Sequence, residues 1–174
     1  MKTILPTGQH LSLRALEPED LDALYLWENS PEMWQYGVFT APYSRHQLWE
    51  YIQNYDSDPL HAGQLRLMID VDGVAVGTVD LYNIDAANRA MVGIMVSPRH
   101  RRNGYALAAL GLLEQYAAGV LALRQLASTV AEDNPGSVAL FEKAGYRQTA
   151  TLPSWVRRGR SFVDAFVFQK LISE

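Results

Sequence analysis

The sequence predicts an α+β fold, with one mixed, mostly antiparallel central sheet and helices on both of its faces. Three observations carry this prediction. Two helix-like segments precede a run of strands joined by tight turns. The last of those strands leads through a basic, glycine-containing loop into a long Ala/Leu-rich helix. A strand, a helix and a strand pair then close the chain. The chain has 174 residues, 48% hydrophobic and 20% charged, which suits a single domain over 1–174 with a sizeable core. No internal repeat, linker or low-complexity tract divides it.

The elements follow in order. Leu11-Ser12-Leu13-Arg14 alternates as a short strand does. Glu17-Pro18-Glu19-Asp20 is a helix start, with proline in the first turn and acids near the positive end. Leu21, Leu24, Tyr25 and Glu28 continue at helical spacing until Asn29-Ser30-Pro31 interrupts. Glu32 to Phe39 is an aromatic-rich connector, and Arg45 to Tyr55 a second helix with Leu48, Tyr51 and Ile52 on one face. Leu65, Leu67 and Ile69 then alternate with polar neighbours, Asp72-Gly73 is a hairpin turn, and Val74 to Tyr82 is the return strand. Arg89 to Val96 forms the next strand, followed by a helix from Leu107 to Ala118 with Ala106, Leu110, Leu113 and Ala117 on its inner stripe. Leu126 to Val130 is a strand. Asn134-Pro135 opens another helix, which Gly145 closes. Tyr146–Leu152 and Ser161–Lys170 pair as strands around Arg158-Gly159-Arg160.

Composition excludes several functions. A net charge of −4 argues against a nucleic-acid-binding surface. The absence of cysteine removes disulfide scaffolds, thiolate metal sites and a cysteine nucleophile. His10, His46, His61 and His100 are scattered without metal-ligand spacing, so no metal is expected. No apolar run spans a membrane and the first residues do not form a signal peptide, so a cytoplasmic protein is expected.

The basic loop is the most informative stretch. Val96-Ser97-Pro98-Arg99-His100-Arg101-Arg102-Asn103-Gly104-Tyr105-Ala106 joins a strand end to a helix start. The first helical turn has backbone N–H groups without internal partners, at the positive end of the dipole. Gly104 permits close approach to the backbone, and Arg101 and Arg102 add fixed charge, so the expected ligand is a phosphate or pyrophosphate. The loop is neither Gly-x-x-x-x-Gly-Lys-Ser/Thr nor Gly-x-Gly-x-x-Gly.

Arg101-x-x-Gly104-x-Ala106 resembles the Gln/Arg-x-x-Gly-x-Gly/Ala signature of the GNAT acyltransferase superfamily. A second block, Asn134 to Tyr146, is similar to the family pattern Asn-x-x-Ser/Ala followed by Glu-Lys-x-Gly-Phe/Tyr. The resemblance extends over nearly the whole chain. It lies nearest the ribosomal-protein N-terminal acetyltransferases and the spermidine/spermine acetyltransferases. It implies a GNAT-like fold whose sheet splays between the Met95 strand and the Ser128 strand. It also implies acetyl-CoA as donor, attacked directly by an amine in a ternary complex. The acceptor is then a polyamine-like small molecule or a protein N-terminus, and a homo-oligomer is allowed. The competing reading is a non-catalytic acyl-CoA-binding or sensing domain.

The same resemblance distributes roles. Ile94, Met95 and Val96 match the splayed strand beside the pantetheine, although their side chains equally suit a core. Arg101, Arg102, Asn103, Gly104, Tyr105 and Ala106 match the pyrophosphate loop. Asn134 matches a residue on the pantetheine arm and, with Asp80, is a catalytic candidate; its alternative role is a helix cap, and Ser137 is similar. Phe141 stands where many members carry a tyrosine acid, so the resemblance puts it against the cofactor without proton chemistry. Asp80 matches an acidic acceptor-side position and is otherwise an ordinary strand acid. Glu28, Trp34 and Tyr36 lie in the segment that walls the acceptor site, where acids and aromatics suit a cationic amine or a plain helix joint.

Overall fold

The computed structural model describes residues 1–34 and 41–173. Eight strands form one sheet: β1 Lys2–Ile4, β2 His10–Arg14, β3 Gln64–Val71, β4 Val74–Asp85, β5 Arg89–Val96, β6 Gln125–Ala131, β7 Arg147–Arg158 and β8 Ser161–Leu171. Their order is β1-β2-β3-β4-β5-β6-β8-β7. Every pairing is antiparallel except β5 with β6, which is parallel. Six helices accompany the sheet among the described residues: α1 Leu21–Glu28, α2 Pro31–Trp34, α3 Arg45–Gln53, α4 Pro59–Ala62, α5 Tyr105–Gly119 and α6 Pro135–Lys143.

Alternation along the strands sends side chains to two faces, and each face has its own core. On one face α5 lays Ala109, Leu110, Leu113 and Ala117 onto Leu11, Ile69, Val79, Leu81, Val92 and Leu126. The other face meets α1 and α3, where Leu24, Trp27, Leu48 and Ile52 enclose Met68. The sequence expectation of helices on both faces therefore holds. Ala106 of the expected stripe is only half-buried, because the first turn of α5 projects toward the loop.

Local chemistry sets the element ends. Ser44 caps α3 in a reciprocal box with Gln47. Asp72 and Gly73 both take positive φ, 51° and 85°, the backbone that a two-residue hairpin turn requires. Helix α6 ends in a Schellman arrangement: Tyr146 N–H donates to Phe141 O at 2.9 Å and Gly145 N–H to Glu142 O at 3.0 Å. The rings of Phe141 and Tyr146 meet edge-on at 5.0 Å across that turn. Lys170 of β8 fastens the same end, reaching Ala144 O at 2.7 Å and Glu114 of α5 at 2.6 Å.

Candidate active site

Strand β5 belongs to two sheet halves, and only one of them holds it throughout. Against β4 it pairs from Val96 back to Met91. Against β6 it pairs only over Arg89–Met91. The Ser128 hydroxyl then donates to Val92 O at 3.0 Å, and beyond that point no register joins the strands. The expected splay is present. It leaves the β6-facing edge of Gly93–Val96 with main-chain groups to offer, and such groups need partners when covered. The side chains of Ile94 and Val96 pack toward the α5 core and Met95 toward the α1/α3 core.

The loop after β5 lies at the mouth of this splay. Arg102 and Gly104 both take left-handed φ, 64° and 79°. Asn103 ties the loop by donating to the carbonyls of His100 at 3.1 Å and Arg101 at 3.2 Å. Gly104 is the N-cap of α5 with no side-chain cap, so the N–H groups of Tyr105 and Ala106 face outward without a capping acceptor. A Cβ built on Gly104 meets nothing within 4 Å. Turns of this kind make concavities for anions. Arg101 is held over the loop by its Nε–H bond to Val96 O at 3.1 Å and by contact with Met33 Sδ at 3.3 Å. Tyr105 is 7% exposed and its hydroxyl donates to Gln9 at 3.1 Å, so only its backbone belongs to the loop surface.

The second motif is on the far wall of the splay. Asn134 does cap α6: its Oδ1 accepts from Ser137 N–H at 3.2 Å. That leaves the side-chain NH2 out of the cap. The preceding Asp133 accepts from Arg158 Nε and Nη2, at 2.7 and 2.9 Å, which holds its carboxyl below the usual range. Phe141 is 2% exposed, with its ring against Tyr146 and stacked at 6.0 Å on Phe168. The structure thus gives that ring to the core, because the α6 terminus folds Tyr146 back over it.

The acceptor-side candidates converge on the other face. Asp80 stands beside Gly93 in register, and a Cβ on Gly93 would lie 3.6 Å from the Asp80 carboxylate. Glycine there keeps the carboxylate open toward the splay. Arg66 of β3 binds both Asp80 oxygens, at 2.9 and 3.1 Å, and Glu28 at 3.2 Å. Burial alone would lower the Arg66 pKa, but the charge of Asp80 more than reverses this and fixes the cation. Trp34 joins the group by donating its indole N–H to Glu28 O at 2.5 Å. Tyr36 lies outside the described residues.

Tyr51 of α3, Gln64 and Tyr82 complete a cavity of about 180 Å³ around Arg66 and Asp80. Burial pushes the Tyr51 hydroxyl up to about 12, and burial with the nearby Asp80 raises Tyr82, so both stay neutral donors. Tyr55 accepts the Arg66 main-chain N–H. Arg66, Tyr51, Tyr82 and Gly93 were not among the site residues expected from the sequence. For Arg66, Tyr82 and Gly93 the signal was the strand register, which decides who faces Asp80; Tyr51 comes from α3.

Known proteins share the fold. The family model described as an acetyltransferase (GNAT) domain matches residues 10–147. The spermidine N(1)-acetyltransferase of Escherichia coli K12 is 29% identical over 143 residues, 82% of this chain and 75% of that protein. The crystal structure of spermidine N-acetyltransferase from Vibrio cholerae in complex with CoA and spermine superposes with a TM-score of 0.82. It is 26% identical, over 92% of this chain and 95% of that one. A dodecameric structure of the Vibrio cholerae enzyme gives a TM-score of 0.78 at 25% identity, over 93% and 94% of the two chains. With a splayed β5/β6 pair, an uncapped helix start at a left-handed glycine, and a family match covering most of its length, this chain belongs to the acetyltransferase (GNAT) domain family.

Proposed function

We propose that the protein transfers the acetyl group of acetyl-CoA to a primary amine by direct attack in a ternary complex. The observation that carries this is the placement of the splay. It has the left-handed Arg102–Gly104 loop at its mouth and the Asp80 cavity on one face, beside Gly93. The donor fits the residues present. Arg101, Arg102, Asn103 and the backbone of Gly104, Tyr105 and Ala106 would hold its pyrophosphate. The open edge of Ile94–Val96, with Asn134 and Ser137 opposite, would hold its pantetheine arm. Acetyl-CoA would supply the activated thioester.

The chain's own residues do the rest. Glu28, Trp34 and Asp80, with the tyrosines around them, bind and orient the amine. The amine must lose a proton to attack. Asp80 spends one lone pair of each oxygen on Arg66 and keeps the others for the amine or a bridging water. Phe141 supplies no proton to the departing thiolate, so water serves there. We further infer that residues 1–174 act as one domain, since one sheet runs from Lys2 to Leu171. A cytoplasmic location remains part of this proposal, and no described helix is long and apolar enough to cross a membrane. A homo-oligomer is supported by the exposed Trp155 and Phe162 on β7 and β8 and by the dodecamer of the Vibrio cholerae relative.

A thiol-release assay with acetyl-CoA and a panel of amines tests the reading. Release that depends on the amine, with the acetylated product identified by mass, supports it. CoA binding without turnover on any amine would favour the sensing role instead.

A further inference from the structure

The sheet face that carries Asp80 continues past it. In cross-strand register Gln64, Tyr82, Met91, Ala127 and Gln169 form one row, and Arg89 and Gln125 pair in the next. Their alternate neighbours Ala90 and Leu126 point into the α5 core, so this row faces the opposite side, as Asp80 does. A cavity of about 420 Å³ opens over it. Its lining includes the apolar Met91, Ala127 and Val167, the amides of Asn83, Gln125 and Gln169, and the paired Asp85 and Arg89. Gln169 donates to Gln125, which leaves that pair one carbonyl oxygen and one amide nitrogen to offer.

Charge decides what such a cavity takes. Asp85 is the one acid in its lining among the described residues. Both Asp85 oxygens are engaged, one with Arg89 Nε at 2.6 Å and one with Ala87 N–H at 2.9 Å. The Arg89 guanidinium neutralises the Asp85 charge, so the lining has no net negative charge to draw a second ammonium. On the Asp80 side, two carboxylates share one guanidinium, a balance that holds a single positive charge. At the rise of an extended strand, Met91 lies about 7 Å and Arg89 about 13 Å from Gly93. The cavity therefore begins about two extended residues from Gly93 and ends about four away.

Building on the acetyltransferase reading, we propose that this cavity is a second acceptor subsite. It takes the neutral, amide-bearing and partly apolar body of an acceptor with one reactive amine, as at a peptide N-terminus. It does not take the second ammonium of a polyamine.

The test measures kcat/KM of the intact protein with acetyl-CoA and three acceptors: leucyl-alaninamide, propylamine and spermidine. Leucyl-alaninamide is expected to exceed spermidine at least tenfold. Ala127→Leu fills part of the cavity and is expected to lower the ratio of leucyl-alaninamide to propylamine at least tenfold. Gln169→Met, at a half-exposed position, is expected to raise KM for leucyl-alaninamide several-fold with kcat little changed, and it carries the test if Ala127→Leu does not fold. Preference for spermidine, or an unchanged ratio in both variants, overturns the subsite and leaves the acetyltransferase reading standing. No transfer to any of the three by a folded, CoA-binding protein overturns that reading, and the subsite with it.

Discussion

Gly77→Ala tests how tightly β4 and β5 are joined beside the splay. A Cβ at position 77 would lie 2.1 Å from Met95 O and 3.0 Å from both Met95 C and Val96 Cα. Carbon and carbonyl oxygen ordinarily approach no closer than about 3.3 Å, so the strands must part locally by roughly 1 Å. The obstructing atoms are main chain, and no rotamer change relieves them. Overpacking of this kind costs about 1–3 kcal/mol. For a chain of this size that lowers Tm by about 2–4 °C per kcal/mol. CoA affinity should fall with it, since the displaced segment is the open edge of β5. Gly111→Ala is the control: it lies inside α5 with nothing within 4 Å of its Cβ, and alanine there should stabilise by about 0.5–1 kcal/mol. Calorimetric melting of both variants, with CoA titration of the first, checks the pair. A Gly77→Ala protein that melts within 1 °C of the parent would refute the reasoning.

Three other outcomes are expected. Gly104→Val should lower CoA affinity at least tenfold by isothermal titration, because the left-handed φ of 79° strains any side chain and the open space above the loop is filled. Asp80→Asn should lower kcat/KM for the preferred amine by about tenfold, or roughly 1.4 kcal/mol in the barrier, with CoA affinity kept. A variant equal to the parent across pH would make Asp80 only the anchor of Arg66. His61 should titrate above its ordinary 6.5 by NMR, because its ring bonds Asp56 at 2.6 Å; Asp56→Asn should return it. A raised histidine contributes stability that is complete below 6.5 and lost as pH rises through the folded value. The lowered Asp56 contributes above 3.8 and loses it in acid, so the pair acts between those limits.

The order of elements was legible because its signals are local. Pro18 and the acids after Glu17, Asp72-Gly73, Asn134-Pro135 and Gly145 each mark an end by their own backbone chemistry. Strand β1 was missed because Lys2–Ile4 is too short to show a period. Strand β7 runs through Pro153 to Arg158, where the expected strand ended at Leu152. Proline is tolerated because β7 is the sheet edge and its register shifts between Leu152 and Val156. The Asp80–Arg66 pair shows what pattern reading cannot reach. Counting outward from Val71↔Val74 sets Arg66 opposite Val79. A bulge between Ile69 and Asp70 advances the register by one residue and sets it opposite Asp80. One inserted residue exchanges the faces of everything beyond it, so the cation beside Asp80 exists only once the hairpin has folded.

The limited pairing of β5 with β6 has a mechanical consequence. Along Arg89–Met91 the two leaves of the sheet, β1–β5 and β6–β8, are stitched; past Val92 they are held together by the helices beneath and by one serine hydroxyl. Amides of Gly93–Val96 that point into the gap have no cross-strand acceptor, so they exchange with solvent faster than those facing β4. A long, amide-rich molecule lying in the gap replaces the missing ladder and bonds one leaf to the other. Its binding energy then adds to the cooperativity of the whole sheet. Filling the gap is therefore expected to raise the melting temperature and to slow exchange of those amides.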